Sequence, residues 1–186
     1  GPETLAMADD ATLLGAVEGW ARAEAAAAAR RLAAIGELVA RRCTDDADDE
    51  RAFWACDMWD ATAAEVAAAL NLSQRRASSQ MYLARSLRER LPRVNALFLA
   101  GRVTARLVST ISWRTHLVLD EGAMAAIDAG LAHQAATWGP LSDSRVELAI
   151  DALVDEHDPQ AREWFRQAAR GLDVEFGQSN DATATR

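Results

Sequence analysis

Apolar residues recur at steps of three and four positions between Asp9 and Arg42, and this spacing predicts one long amphipathic helix. The apolar positions are Leu13, Val17, Trp20, Ala27, Leu32, Ile35 and Leu38, and Arg22, Arg30 and Glu37 are expected to face outward. Asp9 and Asp10 are suitable N-caps. At 1.5 Å per residue this helix would be about 50 Å long. We therefore expect it to pack against several other helices or against a second copy of the chain.

Shorter helices are predicted after the first one, separated by caps, prolines and glycines. Thr62 is expected to cap a helix that ends near Leu70. The following helices are predicted at residues 73 to about 90, 92–101, 104–117, 120–138, 142 to about 157, and 158–170. Pro92 suits the first turn of its helix, and Gly139-Pro140 should end the helix before it. The pattern predicts an all-α fold in which a long N-terminal helix packs on a multi-helix bundle.

The connecting and terminal segments complete the predicted organisation. The acidic run at residues 45–50 is expected to be a solvated loop, followed by an aromatic core cluster of Phe53, Trp54, Met58 and Trp59. Gly1-Pro2 resembles a protease cleavage scar, so residues 1–8 are expected to be that scar and a flexible start. Residues 9–170 are predicted to form a single all-helical domain with a helix-turn-helix-like segment at 62–90. Residues 171–186 are expected to be a tail, with a candidate strand at 172–176 and disorder beyond it.

Charge changes this picture because it is unevenly distributed. The whole chain has a net charge of −8, which argues against general binding to polyanions, and all 20 of its basic residues are arginine. Residues 73–106, which we call the basic segment, hold eight arginines against the single acid Glu89. The segment therefore carries +7, between flanks at −8 and −7. This contrast predicts an anionic partner for the basic segment.

The sequence contains no pattern typical of an enzyme or a metal site. His116, His133 and His157 are far apart and form no metal-binding motif, and there is no Cys-x-x-Cys, P-loop or nucleophile elbow. Asp151, Asp155, Glu156 and Asp158 surround His157 and could hold a cation, but a solvated helix end is the preferred interpretation. We expect no catalytic activity, no cofactor and no metal within these residues. With only Cys43 and Cys56, no signal peptide and no membrane-spanning stretch, a cytoplasmic protein with reduced thiols is expected.

Residues 62–84 follow the pattern of a helix-turn-helix. Ala67 is small enough for two helices to approach closely, and Asn71 can adopt the left-handed backbone that a tight turn needs. Leu72 is expected to enter the core and Ser73 to cap the second helix. The buried side of that helix should be formed by Ala77, Met81, Ala84 and Leu87.

The opposite side of this second helix supplies the candidate DNA-binding residues: Ser73, Gln74, Arg75, Arg76, Ser78, Ser79, Tyr82 and Arg85. Arginine and glutamine at the start of a recognition helix are the residue types that read guanine and adenine edges. Serine, tyrosine and later arginine side chains suit phosphates. The alternative is a helical hairpin whose arginines pair with acidic residues of the same chain, since Asn71 replaces the commoner glycine and Gln80 replaces a usual apolar residue.

A family resemblance extends over nearly all of residues 9–170. The runs WDATAAEVAAALNLSQRRASSQMYLARSLRERLP, ALFLAGRVTARLVSTISWRT and HQAATWGPLSDSRVELAIDALVDEHDPQA resemble the actinobacterial 13E12 repeat family. Its members share a domain of unknown function, number 222, usually placed before an HNH nuclease domain. The resemblance implies a helical N-terminal module of a protein that brings a nuclease to DNA, without supplying a mechanism.

Three functional hypotheses follow from the residues and the resemblance. The first is a non-catalytic module that binds double-stranded DNA and positions a downstream HNH nuclease. This module is expected to be a homodimer. The alternative is a helical dimerisation or protein-interaction module whose basic segment docks onto an acidic partner. A small-molecule enzyme or binder is the third and least favoured class. No membrane partner is expected.

Overall fold

The structure is a computed structural model that describes residues 5–43, 52–135, 137–139, 141–161 and 163–164. Within this described part, the main helices are α1 (Asp10–Arg42), α2 (Ala52–Leu70), α3 (Gln74–Glu89), α4 (Pro92–Leu99), α5 (Ala105–Arg114), α6 (Glu121–Ala135) and α7 (Asp143–His157). Residues 159–161 and 163–164 are helical as well. The described part of the chain forms no strand. The all-α prediction is therefore confirmed, while the predicted loop at 45–50 and the tail at 171–186 lie outside the described residues.

Helix α1 begins and ends where the sequence predicts, but a different side of it is buried. Its N-cap Asp9 accepts a hydrogen bond of 2.8 Å from the Thr12 N–H. Hydrogen bonding by the Thr12 side chain, and then by its N–H, lowers the pKa of the Asp9 carboxyl. Leu32 and Ile35 are buried as predicted. The other members of the buried side are Ala25, Ala29, Gly36 and Val39, whereas Val17, Trp20, Ala27 and Leu38 are exposed and Leu13 is half-buried. Of the seven apolar positions that define the predicted helix, only Leu32 and Ile35 are therefore buried, because a lane of smaller residues packs against the neighbouring helices.

Helix α2 corrects a second prediction. Thr62 was expected to cap a helix, yet its side chain is fully buried in the middle of α2. Alanines lie on both sides of it, and their high helix propensity favours an uninterrupted helix over a new start. Met58 is exposed and Trp59 is half-buried, so neither belongs to the core. The side chains of Phe53 and Trp54 lie outside the described residues.

The chain divides into two compact units, residues 1–109 and 110–186. In the first unit, α3 packs against α1, α2 and α4, and α1 also packs against α2 and α4. Gly36 marks the close approach of α1 to α3, because a Cβ there would lie 3.3 Å from the Ala84 carbonyl oxygen. Gly101, after α4, has a φ of +69° and lies against the Arg22 backbone, so a side chain there would be strained and would clash. The single domain proposed for residues 9–170 stays a prediction.

In the second unit, α6 packs against α7. Its buried residues include Met124, Ile127 and Leu131 of α6 and Ile150, Leu153 and Val154 of α7. Helix α5 ends at Arg114 and α6 at Ala135, three residues earlier than predicted in each case, because turns follow both ends. The predicted caps Thr104 and Asp120 accept hydrogen bonds from the N–H groups of Leu107 and Ala123. Within the described residues, no helix is both long and apolar enough to span a membrane.

Candidate nucleic-acid interface

A three-residue connection joins α2 to α3 and determines how α3 is presented. Asn71 has a φ of 52°, the left-handed conformation that the sequence predicts for the turn. The Leu72 N–H donates a 2.9 Å hydrogen bond to the Ala67 carbonyl, and the Leu72 side chain is half-buried. Ser73 is the N-cap of α3, and its hydroxyl accepts a hydrogen bond from the Arg76 N–H. The turn and the cap of the predicted segment are therefore confirmed.

The buried side of α3 holds the helix firmly against its neighbours. Ala77 and Met81 are completely buried, and Ala84 and Leu87 nearly so, as the sequence predicts. Close packing of this kind gives an exposed helix side a defined position, which recognition of a shaped surface requires. The side of α3 away from these four residues is therefore presented on a fixed scaffold.

The first turn of α3 exposes two arginines. Arg75 and Arg76 are both exposed, and neither forms an ion pair with any residue that the structure describes. Gln74 is exposed as well, and its side-chain amide donates a 3.4 Å hydrogen bond to the Asp60 carbonyl. Ser79 donates its hydroxyl hydrogen to the Arg75 carbonyl at 3.0 Å. Two guanidinium groups therefore stand beside the positive end of the α3 dipole, a combination that attracts anions.

Trp59 of α2 organises the middle of the candidate surface. Its ring Nε1–H donates a 2.9 Å hydrogen bond to the Ser78 hydroxyl, and its ring centroid lies 4.4 Å from that of Tyr82. Tyr82 nevertheless stays 62% exposed. Ser78 and Tyr82 are therefore positioned by a residue that the sequence analysis assigned to the core. The only sequence signal was the presence of a tryptophan, since a separation of 19 residues reveals nothing about contact.

The second half of α3 uses its arginines differently. Arg85, the last of the candidate DNA-binding residues, donates to Glu89 at 3.0 Å, and both belong to α3. Arg88 reaches across to α1 and donates to Glu37 at 2.7 Å, while Arg41 holds the other oxygen of the same carboxylate at 2.8 Å. These hydrogen bonds, Arg88 first, hold the pKa of the Glu37 carboxyl below its usual value. In the rest of the basic segment, burial lowers the pKa of Arg90, and Arg102 is exposed with no ion pair among the described residues.

The acidic residues near the end of α7 differ in burial. Asp151 is buried and receives two hydrogen bonds from Arg114, of 2.9 and 2.5 Å, while Asp155, Glu156 and His157 are exposed. Among the described residues, no three His, Cys, Asp or Glu side chains come together as a metal ion would require. Asp151 is therefore engaged in an internal ion pair with Arg114.

Comparisons with known proteins place the chain among relatives without an assigned role. The family model described as "Domain of unknown function (DUF222)" matches residues 20–184. The chain is 53% identical over 184 residues to "Uncharacterized protein in est 3'region" of Mycobacterium tuberculosis, covering 99% of this chain and 51% of that protein. It is also 53% identical to "Uncharacterized protein Rv3776" and 50% identical to "Uncharacterized protein Rv2100" of the same organism, again over 99% of this chain. It covers 35% and 33% of those two proteins. The chain thus spans about half or less of these relatives, and no solved structure matches it.

Proposed function

The chain belongs to the family of the domain of unknown function 222, and we propose that it is a non-catalytic DNA-binding module. The first turn of α3 would enter the major groove of double-stranded DNA. The family resemblance adds that the module would position an HNH nuclease domain carried by full-length relatives. The observation that supports this proposal is the pair Arg75 and Arg76, which are exposed, have no ionic partner among the residues that the structure describes, and follow the N-cap of a closely packed helix.

The chemistry of this turn fits nucleic acid better than an apolar ligand. Arginine can donate two parallel hydrogen bonds to guanine O6 and N7, or pair with a phosphate. Gln74 adds an amide at the same helix start, and amides pair with adenine edges. Tyr82 is exposed one turn beyond Ser79, and its hydroxyl could donate a hydrogen bond to a phosphate of the DNA backbone. Helix-turn-helix proteins place the N-terminal residues of their second helix against base edges in this manner.

The uneven charge of the chain supports DNA binding by the basic segment, but it also limits the expected affinity. The acidic flanks of the basic segment repel a polyanion, so we expect weak binding by a single copy and stronger binding by a dimer on two half-sites. Each phosphate that an arginine neutralises should release a counterion from DNA. The affinity must then fall as the salt concentration rises.

Titration of a fluorescently labelled duplex at several salt concentrations tests the proposal. The logarithm of the binding constant should fall by roughly one unit per unit of log salt for each phosphate contacted. The double variant Arg75→Glu/Arg76→Glu should lose binding at every salt concentration. Each single variant, Arg75→Glu or Arg76→Glu, should weaken binding. Arg145→Glu makes the same change in net charge as either of them, at an exposed arginine of α7 that has no described ion pair, and should bind normally. A folded wild-type sample that does not bind DNA even at low salt contradicts the proposal.

A second candidate function is a dimerisation or protein-interaction module. Trp20 and Val17 of α1 favour it, because they are 73% and 66% exposed and large apolar side chains in such a position are typical of contact surfaces. In this case, the basic segment would dock onto an acidic protein. Binding of wild-type protein to an acidic polypeptide but not to duplex DNA would favour this second function over the first.

A further inference from the structure

An apolar and charged lane runs along one side of α1 and repeats every seven residues. It consists of Val17, Trp20, Glu24, Ala27, Arg31, Ala34 and Leu38, at alternating steps of three and four, and we call it the α1 seam. All seven residues are exposed. Glu24 and Arg31 form no ion pair with a described residue. Alternating steps of three and four residues are the spacing by which two helices interlock in a coiled coil.

The seam is distinct from the side of α1 that packs on its own bundle. The core of the first unit buries Ala25, Ala29, Leu32 and Val39, which form a neighbouring lane of the same helix. The two lanes differ in their exposure to solvent. The core lane is already covered, whereas the seam carries Trp20, with nearly three-quarters of its surface exposed.

The order of residues in the seam makes it complementary to itself in one orientation only. If two copies of α1 run antiparallel with the axis beside Ala27, Glu24 of each lies within one residue of the position opposite Arg31 of the other. The same arrangement sets bulky Trp20 opposite small Ala34, and Val17 within one residue of the position opposite Leu38. Ala27 meets its own copy at the axis, where small side chains let the helices approach closely. A parallel pair would instead place Glu24 on Glu24 and Trp20 on Trp20, combining like charges and equal bulk.

We propose that the α1 seam is the interface of an antiparallel homodimer of this chain, with a two-fold axis at Ala27. A two-fold axis makes the same patch serve both copies, so each favourable Glu24–Arg31 layer occurs twice. The partner is a second copy because its charges and sizes match the seam layer by layer. This inference is independent of DNA binding, since it concerns the protein alone, and its test needs no DNA.

Charge exchange along the seam tests the proposal by light scattering and sedimentation. Wild-type protein should dimerise at micromolar to sub-millimolar concentration. Glu24→Arg and Arg31→Glu should each raise the dimer Kd at least tenfold, because each creates two like-charge layers. The double variant Glu24→Arg/Arg31→Glu should return the Kd to near the wild-type value. Arg145→Glu makes the same change in net charge as Arg31→Glu, but outside the seam, and should leave the Kd unchanged. Circular dichroism on each variant shows whether the helices stay folded.

Disulfide trapping tests the orientation. In a Cys43→Ser/Cys56→Ser background, Glu24→Cys mixed with Arg31→Cys should form a covalent dimer rapidly under mild oxidation. Glu24→Cys by itself should form far less, since the antiparallel axis separates the two copies of residue 24. Efficient cross-linking of Glu24→Cys to itself would establish a parallel pair and overturn the proposal. A wild-type chain that stays monomeric at its highest soluble concentration would also overturn it and leave the seam to another protein.

Discussion

The two ends of α3 both carry arginines, but the arginines differ in whether they form ion pairs. At the start, Arg75 and Arg76 are exposed and no described carboxylate pairs with them. In the second half, Arg85 is paired with Glu89, and Arg88 links α3 to Glu37 of α1. A guanidinium that already holds a carboxylate must give up that pair before it can bind an anion. The charge of +7 on the basic segment therefore overstates the positive charge that is available to DNA, which is concentrated at the beginning of the helix.

Arg114 shows the extreme case of a paired arginine and gives the largest expected effect. Its side chain is 16% exposed, and that of its partner Asp151 is 7% exposed. Arg114→Ala would remove the two hydrogen bonds that this guanidinium gives the buried Asp151 carboxylate. Breaking a buried ion pair in this way typically costs about 3–5 kcal/mol. We expect a loss of this order in the free energy of unfolding, measured by urea denaturation. The paired and unpaired arginines should then differ sharply in their effect on stability.

The matched control for Arg114 is Arg145, an exposed arginine on α7. Arg145→Ala should change the free energy of unfolding by less than about 0.5 kcal/mol. Replacing both members of the buried pair, as in Arg114→Met/Asp151→Leu, should recover most of the lost stability, because no unpaired charge remains. If Arg114→Ala and Arg145→Ala prove equally mild, the buried pair contributes nothing and the distinction between the two classes of arginine fails.

The next prediction concerns the exposed end of α3. Arg75→Ala and Arg76→Ala should each weaken binding to the preferred duplex by about 1–3 kcal/mol if they pair with bases, and should flatten the preference among sequences. Neither change should alter the free energy of unfolding by more than about 0.5 kcal/mol. Fluorescence anisotropy on a panel of duplexes and urea denaturation measure the two quantities. A variant that unfolds more easily but binds DNA normally would show that α3 is only a structural hairpin.

Much of the framework around this end of α3 was predictable from the sequence. The left-handed turn at Asn71, the cap at Ser73 and the buried lane of Ala77, Met81, Ala84 and Leu87 all depend on neighbours within a few positions. Local backbone chemistry and helix periodicity are sufficient for such features. The helix-turn-helix function itself stays a prediction.

The contacts between helices, which decide whether an arginine is paired with a carboxylate, could not be predicted in the same way. Arg88 meets Glu37 across 51 residues, and Trp59 meets Ser78 across 19. Their distance in sequence contains no information about how α1, α2 and α3 cross. The buried lane of α1 was not predictable either, because it holds small alanines and Gly36 rather than the larger Val17 and Trp20, and Gly36 marks the close approach of α3. Periodicity identifies the candidate lanes of a helix, but the neighbouring helix decides which lane is covered.

A smaller effect is expected at Arg102, which resembles Arg75 in being exposed and unpaired within the described residues but lies outside α3. If it meets only the DNA backbone, Arg102→Ala should weaken binding to all duplexes alike. The salt dependence should then fall by about one unit of slope, the loss of one phosphate contact. Anisotropy titrations at several salt concentrations separate this result from that of Arg75→Ala. A change in sequence preference at Arg102→Ala would place that side chain against bases and extend the interface beyond α3.

The smallest effect belongs to the paired end of α3 and is measured at Glu37. Hydrogen bonds from Arg88 and then Arg41 depress the pKa of this carboxyl, so the ion pairs contribute stability above its unfolded pKa. That contribution is lost as the pH falls through the depressed folded pKa, where Glu37 becomes protonated. Arg88→Ala should therefore raise the pKa of Glu37 toward its ordinary value, and its stability deficit relative to wild type should shrink in acid. Carboxyl-carbon NMR titration measures the shift, with Arg22→Ala, more than a helical turn away from Glu37, as the control that should leave it unchanged. An unchanged pKa in Arg88→Ala would mean that Arg88 does not hold Glu37 in solution, and the second half of α3 would then resemble the first.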